Sequence, residues 1–184
     1  MHSWNSRRAL AAAVFGAVLL SVAGSALGAG SKGPAKTKIV IKGDESFKPN
    51  VYDKNTFHFV PGTVAIRSGG TVTLTNTTTD GHSLSIVTQS QLPRTINQVN
   101  NCNACGAILN AHGINFEGPP TQGPPPHPVV NVGGAGFDTP GDSVVIGPKG
   151  HGGPVTFQVT SRPGTILRFV CAFHPWMQGR FLVK

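Results

Sequence analysis

Cys171, His174 and Met177 stand three residues apart in the sequence Cys-Ala-Phe-His-Pro-Trp-Met. They offer a thiolate, an imidazole and a thioether on one short turn. Thiolate and imidazole donors hold copper in both of its redox states, and a distant methionine serves as a weak additional donor. Pro175 fixes one backbone angle of the turn, which favours a site that does not relax between two copper geometries. The triplet is one nitrogen short of a complete donor set, so a second histidine must come from upstream.

His82 is the best placed candidate. It follows Thr77-Thr-Thr-Asp-Gly81, a turn between two apolar-polar alternating runs, and so falls at a sheet end, as Cys171 does. His58 competes but lies in the middle of Thr56-Phe-His-Phe-Val60. His112, His127 and His151 fall in irregular segments and are expected to be solvated.

The elements that must position these residues read as strands. Period-two alternation or β-branched content marks residues 37–42, 56–60, 63–67, 71–76, 81–87, 143–146, 155–160, 165–170 and 179–183. Phe47 to Tyr52 is extended but broken by Pro49, which suits a sheet edge. Glycine and proline turns separate the runs, and no stretch of useful length has helical period. Seven to nine short strands predict an all-β sandwich. From about 89 to 140 the pattern dissolves into a long irregular insertion, far longer than an ordinary loop, with a short helix expected at Ile108 to Ile114.

Residues 1–28 read as a signal peptide: Arg7 and Arg8, an apolar run from Ala9 to Val22, then small residues suited to cleavage after Ala26 or Gly28. Ser6-Arg7-Arg8 also resembles a twin-arginine signal. Retained, the segment would tether the chain to a membrane, although the run is shorter than the ~20 residues a span needs. Residues 29–36 read as a flexible tether. Export, to a periplasm or the exterior, sets an oxidising context in which disulfides persist.

The chain has three cysteines. Cys102 and Cys105 are most simply a local disulfide; the alternatives are a thiolate pair forming a second metal site with His112, or thiol exchange. Cys171 is then the unpaired thiol. Without Arg7 and Arg8, 13 of the 15 Lys and Arg face 7 Asp and Glu. That balance favours an acidic protein partner. No dense basic run supports nucleic-acid binding, and nothing points to a small-molecule substrate.

Taken together, Asp80-Gly-His82, Pro163-Gly-Thr165 and Cys171-x-x-His174-x-x-Met177-x-Gly179 resemble the cupredoxins, small type 1 blue-copper proteins, with the Cys-to-Met spacing most similar to amicyanin. The resemblance covers about 37–88 and 141–184. It implies a Greek-key β-sandwich, one type 1 copper ion on His82, Cys171, His174 and axial Met177, and one-electron transfer between redox partner proteins. Copper delivery or storage is an alternative, as is an accessory domain of a copper oxidoreductase. Copper oxidases and nitrite reductases of this kind carry His beside the Cys; here Val170 and Ala172 flank it, which argues against an enzyme. Two positions depart from the family. Ser83 replaces an Asn common after the first histidine, and Phe173 replaces a Pro common before the second. The N–H groups of both are therefore expected to reach the Cys171 sulfur, with Asn76 also standing behind the ligands. Pro175 and Trp176 are expected to form a docking rim around the His174 edge, with Trp176 equally readable as core.

Overall fold

The computed structural model describes residues 33–115 and 127–184. The expected signal peptide and the first half of the tether, residues 29–32, lie outside the described residues. The described residues hold twelve strands: β1 (Lys36–Lys42), β2 (Glu45–Lys48), β3 (Tyr52–Asn55), β4 (His58–Val60), β5 (Thr63–Ile66), β6 (Gly70–Asn76), β7 (His82–Val87), β8 (Val129–Val130), β9 (Ser143–Ile146), β10 (Val155–Val159), β11 (Ile166–Val170) and β12 (Gln178–Val183). They form a four-stranded sheet ordered β10-β6-β1-β4, a six-stranded sheet ordered β5-β12-β11-β7-β9-β8, and a separate β2-β3 hairpin. Strand order departs from chain order in both large sheets, and β1-β6 and β5-β12 pair in parallel. The all-β Greek-key sandwich expected from the alternation is the architecture observed. Among the described residues, no helix is long and apolar enough to cross a membrane.

The alternating side chains account for the layers. In β6, Val72 and Leu74 turn inward while Thr71, Thr73 and Thr75 are half-buried. They meet Ile39 and Ile41 of β1, Leu84 and Ile86 of β7, and Phe169 and Phe181 of the second sheet in one buried cluster. Each such side chain contributes about 1.5–3 kcal/mol of apolar burial. Phe59 packs edge-on to Phe169 at 5.1 Å. Gly179 allows the Phe169 ring to cross β12: a Cβ there would collide with that ring and approach the Gly62 carbonyl oxygen within 2.6 Å.

β7 is buried along its whole length, which alternation alone does not predict for Ser83 and Ser85. Their face is covered by the insertion. Instead of one helix at 108–114, the insertion holds α1 (Ile96–Asn100) and α2 (Asn103–Ala111). α2 presses Cys105, Ile108 and Leu109 against Val87, Val170 and Ala172 in a second apolar cluster. Cys102 and Cys105 are disulfide-bonded at the first turn of α2, as expected, which removes the thiolate pair that a second metal site with His112 would need. The insertion rejoins the core before residue 140, because Phe137 is fully buried and stacks on Phe157 at 4.2 Å.

The 47–52 segment also differs from expectation. It is not a sheet edge but the turn of the β2-β3 hairpin, with Asn50 left-handed at φ 58°. Phe47, Val51 and Tyr52 are exposed on it.

Candidate metal centre

β11 runs directly into Cys171, and β12 begins directly after Met177. Cys171 N–H donates to the Met177 carbonyl at 2.9 Å and Met177 N–H to the His174 carbonyl at 2.8 Å. These two bonds curl the turn so that Cys171 and His174 face the same space. Gln178 Nε2 donates to the carbonyls of Pro93 and Pro175, tying the turn to the start of the insertion. His82 opens β7 opposite Ile146, at the same end of the sandwich.

Cys171 Sγ lies 3.7 Å from Nδ1 of His82 and 3.7 Å from Nδ1 of His174, and the two nitrogens are 3.1 Å apart. The point equidistant from the corners of that triangle is about 2.0 Å from each, which is a metal–nitrogen bond length. These three residues form the one His/Cys/acid cluster of metal-ligating spacing among the described residues. One thiolate and two imidazoles in a trigonal array suit copper. Met177 is buried in the main core beneath the turn. His58 is exposed and its Nδ1 contacts the Thr56 carbonyl; it is not part of the cluster.

Both imidazoles are held neutral. Burial, and then the neighbouring His174, lower the His82 pKa to about 3. Burial lowers that of His174, with Asp80 opposing. A hydrogen-bond chain fixes which His82 nitrogen is free. Asn76 Nδ2 donates to the carbonyls of Asp80 and Gly147, so its Oδ1 faces Thr78 and accepts from the Thr78 N–H and hydroxyl. Thr78 Oγ1 has spent its proton and accepts from His82 Nε2–H at 2.8 Å. His82 Nδ1 therefore presents a lone pair to the triangle. Asn76 acts at one remove, through Thr78, a residue that nothing in the sequence singled out.

The sulfur is the donor that resists ionisation. Burial pushes the Cys171 thiol up to about 11, opposed by the backbone N–H groups of Ser83, His174 and Phe173 and by the Ser83 hydroxyl. The Ser83 N–H lies 3.3 Å from Sγ. Ser83 Oγ in turn accepts from Ala172 N–H at 2.7 Å, pinning the residue after the cysteine to the strand that carries His82.

Around the triangle, Phe57 stands edge-on to both imidazoles, 5.0 Å from His82 and 5.1 Å from His174. Sequence reading missed it, although its place beside His58 in an alternating run was a usable sign. His174 keeps an edge at the surface, with Trp176 exposed against it at 5.2 Å. Pro175 does not share that rim. It is buried, because the turn folds it inward. Asp80 Oδ2 lies 3.8 Å from His174 Nε2. Burial, then Asp80 and Asp53, raise the Glu45 pKa, so this corner is locally acidic on a basic chain.

His112 corrects another expectation. It is fully buried, not solvated, because α2 seats it on β9, where Nε2 meets Ser143 Oγ at 2.7 Å. His127 and His151 are exposed.

No protein-family model matches the chain, and no curated protein matches it either. Among solved structures, the chain is similar to a dithionite-reduced auracyanin from the photosynthetic bacterium Roseiflexus castenholzii, at 19% identity over 83% of this chain and 98% of that one, with a TM-score of 0.42. It is similar to auracyanin A, a "blue" copper protein from Chloroflexus aurantiacus, at 17% identity over 83% and 100% of the two chains, TM-score 0.42. A purple cupredoxin from Nitrosopumilus maritimus matches at 16% identity over 80% and 98%, TM-score 0.38.

Proposed function

We propose that this chain is an exported cupredoxin that carries single electrons between redox partner proteins on one type 1 copper ion. The observation that carries the reading is the convergence of Cys171 Sγ and the two Nδ1 atoms on a point at bonding distance from all three. Met177 is assigned as the weak fourth donor, from its place on the same turn and its burial beneath it. Copper bound there supplies a one-electron couple.

The chain's own residues do the rest. Phe57 and the core exclude water from the donors. The Asn76-Thr78 chain holds His82 in the binding tautomer. The backbone N–H groups directed at Cys171 temper the sulfur's donor strength. His174 offers the short route to the surface, with Trp176 as an apolar docking contact beside it; electron-transfer encounters are characteristically small and weak. Val170 and Ala172 beside Cys171 provide no histidine bridge to a second, catalytic metal, which favours an electron carrier over a copper oxidase. The basic balance of the whole chain favours an acidic partner, while Asp80 and Glu45 make the corner at His174 itself acidic.

The test is a visible spectrum of the copper-loaded protein beside Cys171→Ser. An intense thiolate-to-copper band, lost in the variant, is the expected result. Absence of the band in the wild type overturns the reading.

A further inference from the structure

A second buried polar chain leads away from the site toward the insertion. Ser83 Oγ lies 2.9 Å from Ser85 Oγ, Ser85 Oγ 2.7 Å from Ser143 Oγ, and Ser143 Oγ 2.7 Å from His112 Nε2. His112 Nδ1 meets the His127 carbonyl. Ser83, Ser85 and His112 have no exposed surface, and Ser143 has 1%. A buried network of this kind has few permitted proton arrangements, because each hydroxyl has one proton to give.

The carbonyl of His127 only accepts, so neutral His112 carries its proton on Nδ1 and Nε2 accepts from Ser143. Ser143, having donated, accepts from Ser85, and Ser85 accepts from Ser83. The Ser83 proton is thus turned away from Cys171, although the Ser83 side chain is among the groups that hold the thiol down and the Ser83 N–H lies 3.3 Å from the same sulfur. With His112 protonated, Nε2–H donates to Ser143 and every hydroxyl reverses. Ser143 donates to Ser85, Ser85 to Ser83, and the Ser83 proton is released toward Cys171 Sγ. One proton from solvent is taken up on His112, three hydroxyls rotate, and no electron moves.

We propose that His112, acting through Ser143 and Ser85, is a positioning residue that decides whether the Ser83 hydroxyl donates to the Cys171 sulfur, and so sets the reduction potential of bound copper. The proposal rests on the copper reading above. A hydrogen bond donated to the thiolate withdraws density from it and favours the reduced ion, so the potential rises when His112 is charged. By linkage, reduction makes His112 more basic.

The groups around His112 are consistent with this. α2 and β9 carry no charged side chain. Asp142, next to Ser143, directs its carboxylate to the N–H groups of Val132, Asp138 and Thr139. Burial holds the His112 pKa below 6.5, with the His127 carbonyl opposing and the His127 charge adding to the depression. The changeover therefore falls on the acid side of the ordinary histidine range.

Three measurements test this. The visible spectrum of wild type comes first: a missing thiolate band there fails the copper reading itself and the relay with it. With the band present, potentials of wild type and Ser85→Ala are followed by voltammetry as pH is lowered. The wild type should climb toward the acid side relative to the variant, and Ser85→Ala should sit near the wild-type acid limit throughout, with Ser85→Thr restoring the climb. A tenfold change in His112 proton affinity between the copper states reads as about 59 mV. His174 is common to all three proteins, so its own response cancels in the comparison. Curves of wild type and Ser85→Ala that run parallel overturn the proposal. In the metal-free protein, histidine-ring NMR should show neutral His112 protonated on Nδ1; a proton on Nε2 overturns it independently.

Discussion

Thr78 Oγ1 sits 2.8 Å from His82 Nε2 while donating its own proton to Asn76 Oδ1 at 2.9 Å. All the groups involved are buried or nearly so, which makes the arrangement a one-way fixture. The asparagine amide is oriented by two carbonyls, the threonine hydroxyl by the amide, and the imidazole by the hydroxyl. The donor nitrogen of His82 is therefore chosen before any metal arrives.

Thr78→Val keeps the side-chain shape and removes the acceptor. His82 Nε2–H is then a buried donor without a partner, at a cost of about 1–3 kcal/mol, and the ring is free to turn. Copper affinity should fall about 10–100-fold, the usual loss when the partner of a ligand imidazole is removed. Thr78→Ser should retain near wild-type affinity. Competition against a chelator of known strength checks this; equal affinity in wild type and Thr78→Val would show that the fixture is idle.

Copper affinity should also depend steeply on pH. Cys171 is a thiol up to about 11, and both imidazoles are already neutral near pH 7, being lowered by burial. Binding therefore releases one proton, from sulfur. The apparent association constant, corrected for the chelator's own protonation, should rise about tenfold per pH unit between about pH 7 and 9. A slope near zero would mean that the thiolate is preformed or is not a donor.

The metal-free protein should lose stability in acid through His82. Its pKa is about 3 in the fold against 6.5 unfolded, so the unfolded chain binds the proton first. Stability is then complete above about pH 6.5 and declines as pH falls through about 3, by roughly 5 kcal/mol in all. Denaturant unfolding at stepped pH checks this. In His82→Asn, which cannot titrate, that part of the decline should vanish.

These residues were not equally legible in the sequence. His82 was separable from His58 because a turn before a strand places a residue at a sheet end. Cys171 and His174 were legible because their spacing and the flanking strands confine them to one turn. Thr78 was invisible, since its role needs the loop closed by Asn76 and Gly147, which are 71 residues apart. His112 misled for the same reason: its partner Ser143 is 31 residues away, across a segment with no periodicity. The Ser83-Ser85 face of β7 reads as solvent-facing by alternation, and only the α2 cover makes it interior. Local pattern specifies which way a side chain points within a strand; it does not specify what lies over that face.

Phe173 supplies the last prediction. Its backbone N–H is one of the groups directed at the Cys171 sulfur, and its side chain is half-buried between the two apolar clusters. Proline at this position would delete the donor while leaving the ligands in place, since Phe173 lies in a turn and not in a paired strand. With one hydrogen bond fewer, the sulfur gives more density to the metal, and the oxidised state is favoured. The potential of Phe173→Pro should therefore be lower than that of wild type, measured by voltammetry at a pH where His112 is neutral. Phe173→Leu, which removes the ring but keeps the N–H, separates the two contributions and should shift the potential much less. An unchanged or raised potential in Phe173→Pro would show that this N–H does not tune the sulfur.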